Sequence, residues 1–177
     1  IGLFADDDMI YVDDYQALVK KAFDELPDAD VIVLGPGSLY TGVICNLLVS
    51  GVCKAITQSK AKKLMIANLM NEPGETAGYT LAKHINEMER YLGKHVIDYV
   101  IANNGEITED MIYDFNQGAS TPVTIDLPNI QNRTISVIEE DLVITAPNVI
   151  LHDNVRVSEI IVDIAKAKKS GKLNLLK

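Results

Sequence analysis

The sequence predicts an α/β protein built on a mainly parallel sheet, and three observations carry that expectation. Short β-branched runs alternate with stretches of helical periodicity, the pattern of a sheet covered on both faces. Strand-like runs ending near Leu34, Asn68 and Ala102 each break into glycine or asparagine. The 177 residues, 47% hydrophobic and 23% charged, suffice for one core of ordinary globular composition. One α/β unit over residues 1–177 is therefore expected.

Taken in order, Asp13-Asp14 can cap a first helix in which Tyr15, Leu18, Val19, Ala22, Phe23 and Leu26 recur at helical spacing, with Pro27 just past its end. Val31 to Leu34 follows as a strand. A helix over about 41–50 and a shorter piece near 53–59 lead to a second strand, Leu64 to Asn68. Thr76 opens the next helix, whose Leu81, Ile85, Met88 and Leu92 share one face and which Gly93 ends. A third strand spans Val96 to Ala102, with Asn103-Asn104-Gly105 as its exit turn and a short helix near 108–116 after it. Residues 122–126, 134–138 and 142–145 read as short strands, broken by Pro122, Pro128 and Pro147 and expected as an antiparallel or edge addition. A last helix carries Val157, Ile160, Ile161 and Ile164 behind an Asp153 or Asn154 cap.

If the three main strands are parallel, right-handed crossovers bring the loops after Leu34, Asn68 and Ala102 to one carboxyl edge, the usual ligand side of an open sheet. The first of these loops, Gly35-Pro36-Gly37-Ser38-Leu39-Tyr40-Thr41, is the most telling segment. A glycine-rich turn entering a helix presents backbone amides to a phosphate, although the same residues serve an ordinary tight βα turn. It is neither the six-position dinucleotide fingerprint nor a Walker A loop.

In the second loop, Asn71-Glu72-Pro73-Gly74-Glu75-Thr76 sets two carboxylates beside an amide and a hydroxyl. Glu72 or Glu75 could serve as base or magnesium ligand; equally, Glu75 suits a helix start and Thr76 an N-cap. Asn68 and Asn103 end strands at this edge, where an amide can pair with a base or a sugar hydroxyl, while asparagine also favours left-handed turns. Tyr40 is placed to stack on a nucleobase or to cap the sheet edge. His84 lies off the apolar stripe and reads as a surface or dipole residue, His95 as a turn residue, and His152 precedes the last helix.

The blocks Val31–Thr41, Asn46–Ile56, Asn68–Thr80 and His84-Ile85, with looser matches at Glu140-Asp141 and His152–Asn154, resemble the YvcK family of gluconeogenesis factors, part of a larger CofD-like group named for 2-phospho-L-lactate transferase. The resemblance implies a Rossmann-like three-layer sandwich, a cytoplasmic location, a UDP-sugar or NAD-like ligand, and a role in cell shape during growth on gluconeogenic carbon. It does not imply a known reaction. Family members open with a Gly-Gly-Gly-Thr-Gly turn and an Asp-Asp-Gly-Gly segment that this sequence lacks, so the chain is expected to be the C-terminal portion of a larger CofD-like fold.

The resemblance leads to a ligand set of Gly35, Pro36, Gly37, Ser38, Tyr40, Thr41, Asn68, Asn71, Glu75, Thr76 and Asn103, with no catalytic residue and no metal ligand assigned. Two functions stand side by side. One is a regulatory protein that senses a nucleotide sugar or dinucleotide and signals to a protein partner in envelope synthesis. The other is a CofD-like transferase that moves a phosphorylated hydroxy-acid group from a guanosine nucleotide to a deazaflavin alcohol with magnesium. The Gly35–Thr41 loop has the YvcK form rather than the Pro-Ser-Asn-Pro form of the transferases, which favours the first.

Other classes are disfavoured. A net charge of −9 argues against a nucleic-acid surface, and Lys166, Lys168, Lys169 and Lys172 suit the C-terminus of a helix. Cys45 and Cys53 read as reduced thiols, with no histidine nearby to complete a zinc site. No apolar run approaches a membrane span, and no Gly-x-Ser-x-Gly elbow is present. Edge strands leave room for self-association into a homo-oligomer.

Overall fold

The computed structural model describes residues 20, 23–24, 26–116, 119–130, 134–146 and 149–170. Most of the expected first helix lies outside them, as do Pro147 and Lys172; Pro27 falls in a single turn, Leu26–Asp28. The main sheet contains β1 (Val31–Leu34), β2 (Lys62–Ile66), β4 (Tyr99–Asn103) and β6 (Ser136–Glu140), in the order β1-β2-β4-β6. All three pairings are parallel, with Val33 opposite Leu64, Ile66 opposite Ile101, and Ile101 opposite Ile138.

Period-two alternation sends successive side chains to opposite faces, and both faces are covered. Met65, Val100 and Ala102 join one core with Ile44, Ile56, Ile85 and Met88. Leu64, Ile66, Ile101 and Ile138 join the other with Leu142, Ile150, Ile160 and Ile164. The first core is roofed by α1 (Cys45–Leu47), α2 (Val52–Gln58) and α3 (Leu81–Leu92), the second by α4 (Glu109–Asn116), α5 (Asn154–Ser170) and a hairpin of β7 (Val143–Ala146) with β8 (Val149–His152). This is the expected three-layer, Rossmann-like arrangement. On α3, Leu81, Ile85 and Met88 are completely buried, each contributing roughly 2 kcal/mol by removal from water.

Several expectations are corrected. The second strand begins at Lys62 and ends at Ile66: its two lysines fit a strand start because Lys62 Nζ pairs with Asp98 at 3.0 Å and Lys63 Nζ donates to the Ser59 carbonyl. The third begins only at Tyr99; just before it, Asp98 ties the strand starts together, its N–H donating to the Lys63 carbonyl and its carboxylate accepting the Lys63 N–H, both at 2.9 Å. The helix after the second loop starts at Leu81, capped by Thr80, whose hydroxyl accepts the Lys83 N–H, so Thr76 is not its cap and Glu75 does not lie in its first turn. Asp126 adds a second cap by accepting the Ala82 N–H at 2.8 Å.

The stretch at 134–138, expected as an antiparallel or edge addition, is β6, at the edge of the main sheet and parallel to β4. Pro122 and Pro128 lie in the crossover that reaches it, where they break no central strand. Of 122–126 only β5 (Thr121–Pro122) is strand, forming a short antiparallel ribbon with β3 (Met70–Asn71), a pair the sequence did not suggest. The helix expected over 41–50 is a wide π-type turn, Leu39–Ile44, running into the short α1. His84, expected at the surface, is 1% exposed on α3. At the opposite end of the sheet from the loops, Lys168 of α5 donates to the Ala29 carbonyl at 2.9 Å and docks that helix beside β1.

Candidate functional site

The loops after β1, β2 and β4 meet at the carboxyl edge. Gly35 has φ +88°, and a Cβ there would stand 3.0 Å from the Ile66 carbonyl at the end of β2, so only glycine lets the two strand exits pack this closely. The Gly35-Pro36 bond is cis. The Ser38 carbonyl accepts the Gly42 and Val43 N–H groups at 2.8 and 2.9 Å, which starts the wide turn, while the Ser38 side chain makes no cap bond.

Glu75 ties the first two loops together. Its carboxylate accepts the Tyr40 N–H at 3.3 Å and the Thr41 hydroxyl at 2.7 Å. The Tyr40 and Tyr79 hydroxyls lie 3.0 Å apart. That bond, then burial and the Glu87 charge, push the Tyr40 hydroxyl well above its ordinary pKa of 10.0, so Tyr40 is a neutral phenol with its polar end engaged. Tyr79 is held in turn by Lys83, whose Nζ lies 3.9 Å from the ring centroid, and by the edge of the His84 ring.

Thr76 is fully buried and braces the second loop: its hydroxyl oxygen accepts the Glu72 N–H at 2.8 Å. Asn71 is 3% exposed; its amide donates to the Tyr79 carbonyl at 3.0 Å, and its Oδ1 is buried with no hydrogen-bond partner among the described residues. His84 Nε2 is likewise buried without one. Since Nδ1 of His84 faces the Thr80 carbonyl at 3.0 Å, Nδ1 carries the proton, and burial lowers the His84 pKa below 6.5.

Asn103 organises the third loop. Its Oδ1 accepts the Gly105 N–H at 3.1 Å and the Leu142 N–H at 2.9 Å, and its Nδ2 donates to the Gly105 carbonyl at 2.9 Å. A Cβ on Gly105 would collide with the Asp141 carboxylate. Beside this loop lies a cleft of about 200 Å³ lined by Leu69, Asn103, Asn104, Pro122, Val123 and Ile125, among others. Of the expected ligand residues only Asn103 lines it. Asn68, half-buried, stands between cleft and glycine loop in sequence, just past β2.

The structure thus brings Tyr40, Thr41 and Glu75 into direct contact, sets Asn71 and Thr76 behind them as supports, and leaves Asn103 at a neighbouring cleft. Sequence reasoning did not single out Tyr79, although it sits in the same block as Thr76, nor Leu69, Val123 and Ile125, whose apolar character gave no chemical signal. His152, at the end of β8, reaches the edge from the far layer: its Nε2 meets the Ala67 carbonyl at 3.0 Å. Among the described residues no cluster of three histidine, cysteine, aspartate or glutamate side chains could hold a metal ion. No single helix among them is long and apolar enough to cross a membrane.

The family model described as 2-phospho-L-lactate transferase CofD matches residues 6–143. The chain belongs to the CofD family. The match also covers residues 106–139, between the blocks that carry the sequence resemblance. A protein of Thermoanaerobacterium thermosulfurigenes is 42% identical over 146 residues, 82% of this chain and 45% of its own length. The gluconeogenesis factor of Bacillus subtilis is 33% identical over 148 residues, 84% of this chain and 47% of its own. The crystal structure of a Bacillus halodurans protein superposes with a TM-score of 0.77 at 34% identity, over 81% of this chain and 46% of that one. The chain spans about half the length of these CofD-family relatives.

Proposed function

We propose that this chain carries the phosphate-recognition edge of a YvcK-like regulatory protein that binds a nucleotide sugar or a dinucleotide. In this reading, the Gly35–Ser38 amides hold the diphosphate, and Asn68 with the Asn71–Thr76 loop contacts ribose or sugar. The chain is then one α/β unit, the C-terminal part of a larger CofD-like domain in a cytoplasmic protein, linking carbon metabolism to cell shape and envelope synthesis through a protein partner. The observation that carries the proposal is the Glu75 link between the glycine loop and the second loop, which gives a turn that could have been merely structural a fixed second wall.

Isothermal titration of UDP-N-acetylglucosamine, NAD and GDP, with magnesium and with EDTA, tests it. Metal-independent binding of a diphosphate diester, lost in Gly37→Val, is the expected outcome; binding that vanishes with EDTA favours the transferase reading instead. That second reading rests on the description of the matching family model. In the present arrangement Glu75 accepts two hydrogen bonds, so a magnesium ion would compete with the Tyr40 N–H and the Thr41 hydroxyl for its carboxylate.

A further inference from the structure

We propose that Glu75 is a charge filter on the phosphate-binding loop, admitting an internal phosphate that carries one negative charge and disfavouring a terminal phosphate that carries two. This rests on the reading of Gly35–Ser38 as the phosphate cradle. Two independent observations lead to it.

The first is geometric. The Glu75 carboxylate is held by the Tyr40 N–H at 3.3 Å and the Thr41 hydroxyl at 2.7 Å, two and three residues past Ser38, so it is fixed beside the helical end of the loop. The two bonds reach back 35 and 34 residues along the chain, and breaking both to move the carboxylate aside would cost more than a surface rotamer change.

The second is compositional. Residues 35–41 and 68–76, the two loops that form this wall, contain no lysine, arginine or histidine, yet include Glu72 and Glu75. Lys83, on the neighbouring helix, is stacked over Tyr79. Terminal phosphates are ordinarily met by lysine or arginine. From these two loops a phosphate would meet backbone amides and a carboxylate, a combination that tolerates one charge and penalises a second. A nucleoside diphosphate joined to a sugar or to a second nucleoside satisfies this condition, since each of its phosphates carries one ester and one anhydride link and keeps a single charge. A free nucleoside diphosphate does not.

The test uses the intact protein in EDTA at pH 8, comparing UDP with UDP-N-acetylglucosamine and ADP with NAD. Sugar or second-nucleoside contacts contribute to each preference, so the informative quantity is its change on substitution. Glu75→Gln is expected to narrow the preference for the diester about five- to tenfold, the effect of removing one partly screened neighbouring charge. Glu75→Asp, which keeps the charge, is expected to retain it. A terminal phosphate loses its second charge near pH 6, so the wild-type preference should also shrink at pH 5.5, which a purely structural role for Glu75 would not produce. Thermal melting of each variant confirms that it is folded. Diester binding with a preference unchanged in folded Glu75→Gln overturns the charge filter alone, whereas failure of the wild-type protein to bind any of the four nucleotides overturns the cradle reading beneath it.

Discussion

Asn103 was singled out as a candidate ligand group, and the structure gives it a second task whose size can be worked out. Its side chain makes three bonds that close the β4 exit loop: Oδ1 accepts two backbone N–H groups and Nδ2 serves the Gly105 carbonyl. Asn103→Ala removes all three, at about 1 kcal/mol each. The Leu142 N–H belongs to a residue with no exposed surface, so water cannot replace its partner and its share lies at the upper end of that range. A loss of about 3 kcal/mol is expected, or roughly 6–12 °C in melting temperature for a chain of this size. Asn103→Asp keeps both acceptor bonds and loses only the donor, so it should cost about 1 kcal/mol. Urea unfolding followed by circular dichroism measures both. A cost below 1 kcal/mol for the alanine variant, or equal costs for the two, would refute the bracing role and return Asn103 to the ligand.

Other expectations follow from the same geometry. Gly35→Ala should destabilise by about 2 kcal/mol, since positive φ and the close Ile66 carbonyl act together; Gly37→Ala, whose Cβ meets only Val43 at 3.7 Å, should cost about 1 kcal/mol and chiefly weaken nucleotide binding in titration calorimetry. Thr80→Ala should lose about 1 kcal/mol as a helix cap, and Thr76→Val a comparable or larger amount by stranding the Glu72 N–H, with chemical denaturation separating the two. Burial lowers the pKa of both His84 and His152 below 6.5, so the unfolded chain binds protons more readily than the folded one. Stability should therefore be full above that value and decline as pH falls below it. Urea midpoints between pH 8 and 5 should show a shallower decline in His84→Gln, and an identical decline would count against this residue.

The order of elements was legible wherever hydrophobic period and turn chemistry agreed. The Val31–Leu34 strand and the Leu81, Ile85, Met88, Leu92 stripe are where the pattern places them. What misled was polarity with a tertiary partner. Lys62 and Lys63 fall outside the expected strand because nothing in the sequence pairs them with Asp98 and the Ser59 carbonyl, and His84 reads as surface because its bond to Thr80 and its contact with Tyr79 are local to a buried turn. Thr76 and Thr80 both suit a cap, and only Lys83 chose between them. For the site, the sequence placed the glycine loop and the Asn71–Thr76 loop at one edge, but no periodicity could reveal that Glu75 spans them.

Among the described strands β1 lies outermost, with β2 as its neighbour on one side. The β1 exit loop is therefore buttressed from the β2 side, and the two Glu75 bonds to Tyr40 and Thr41 are its lateral anchor. A substitution that cuts them should loosen Gly35–Thr41 while leaving the parallel pairing of β1 with β2 in place.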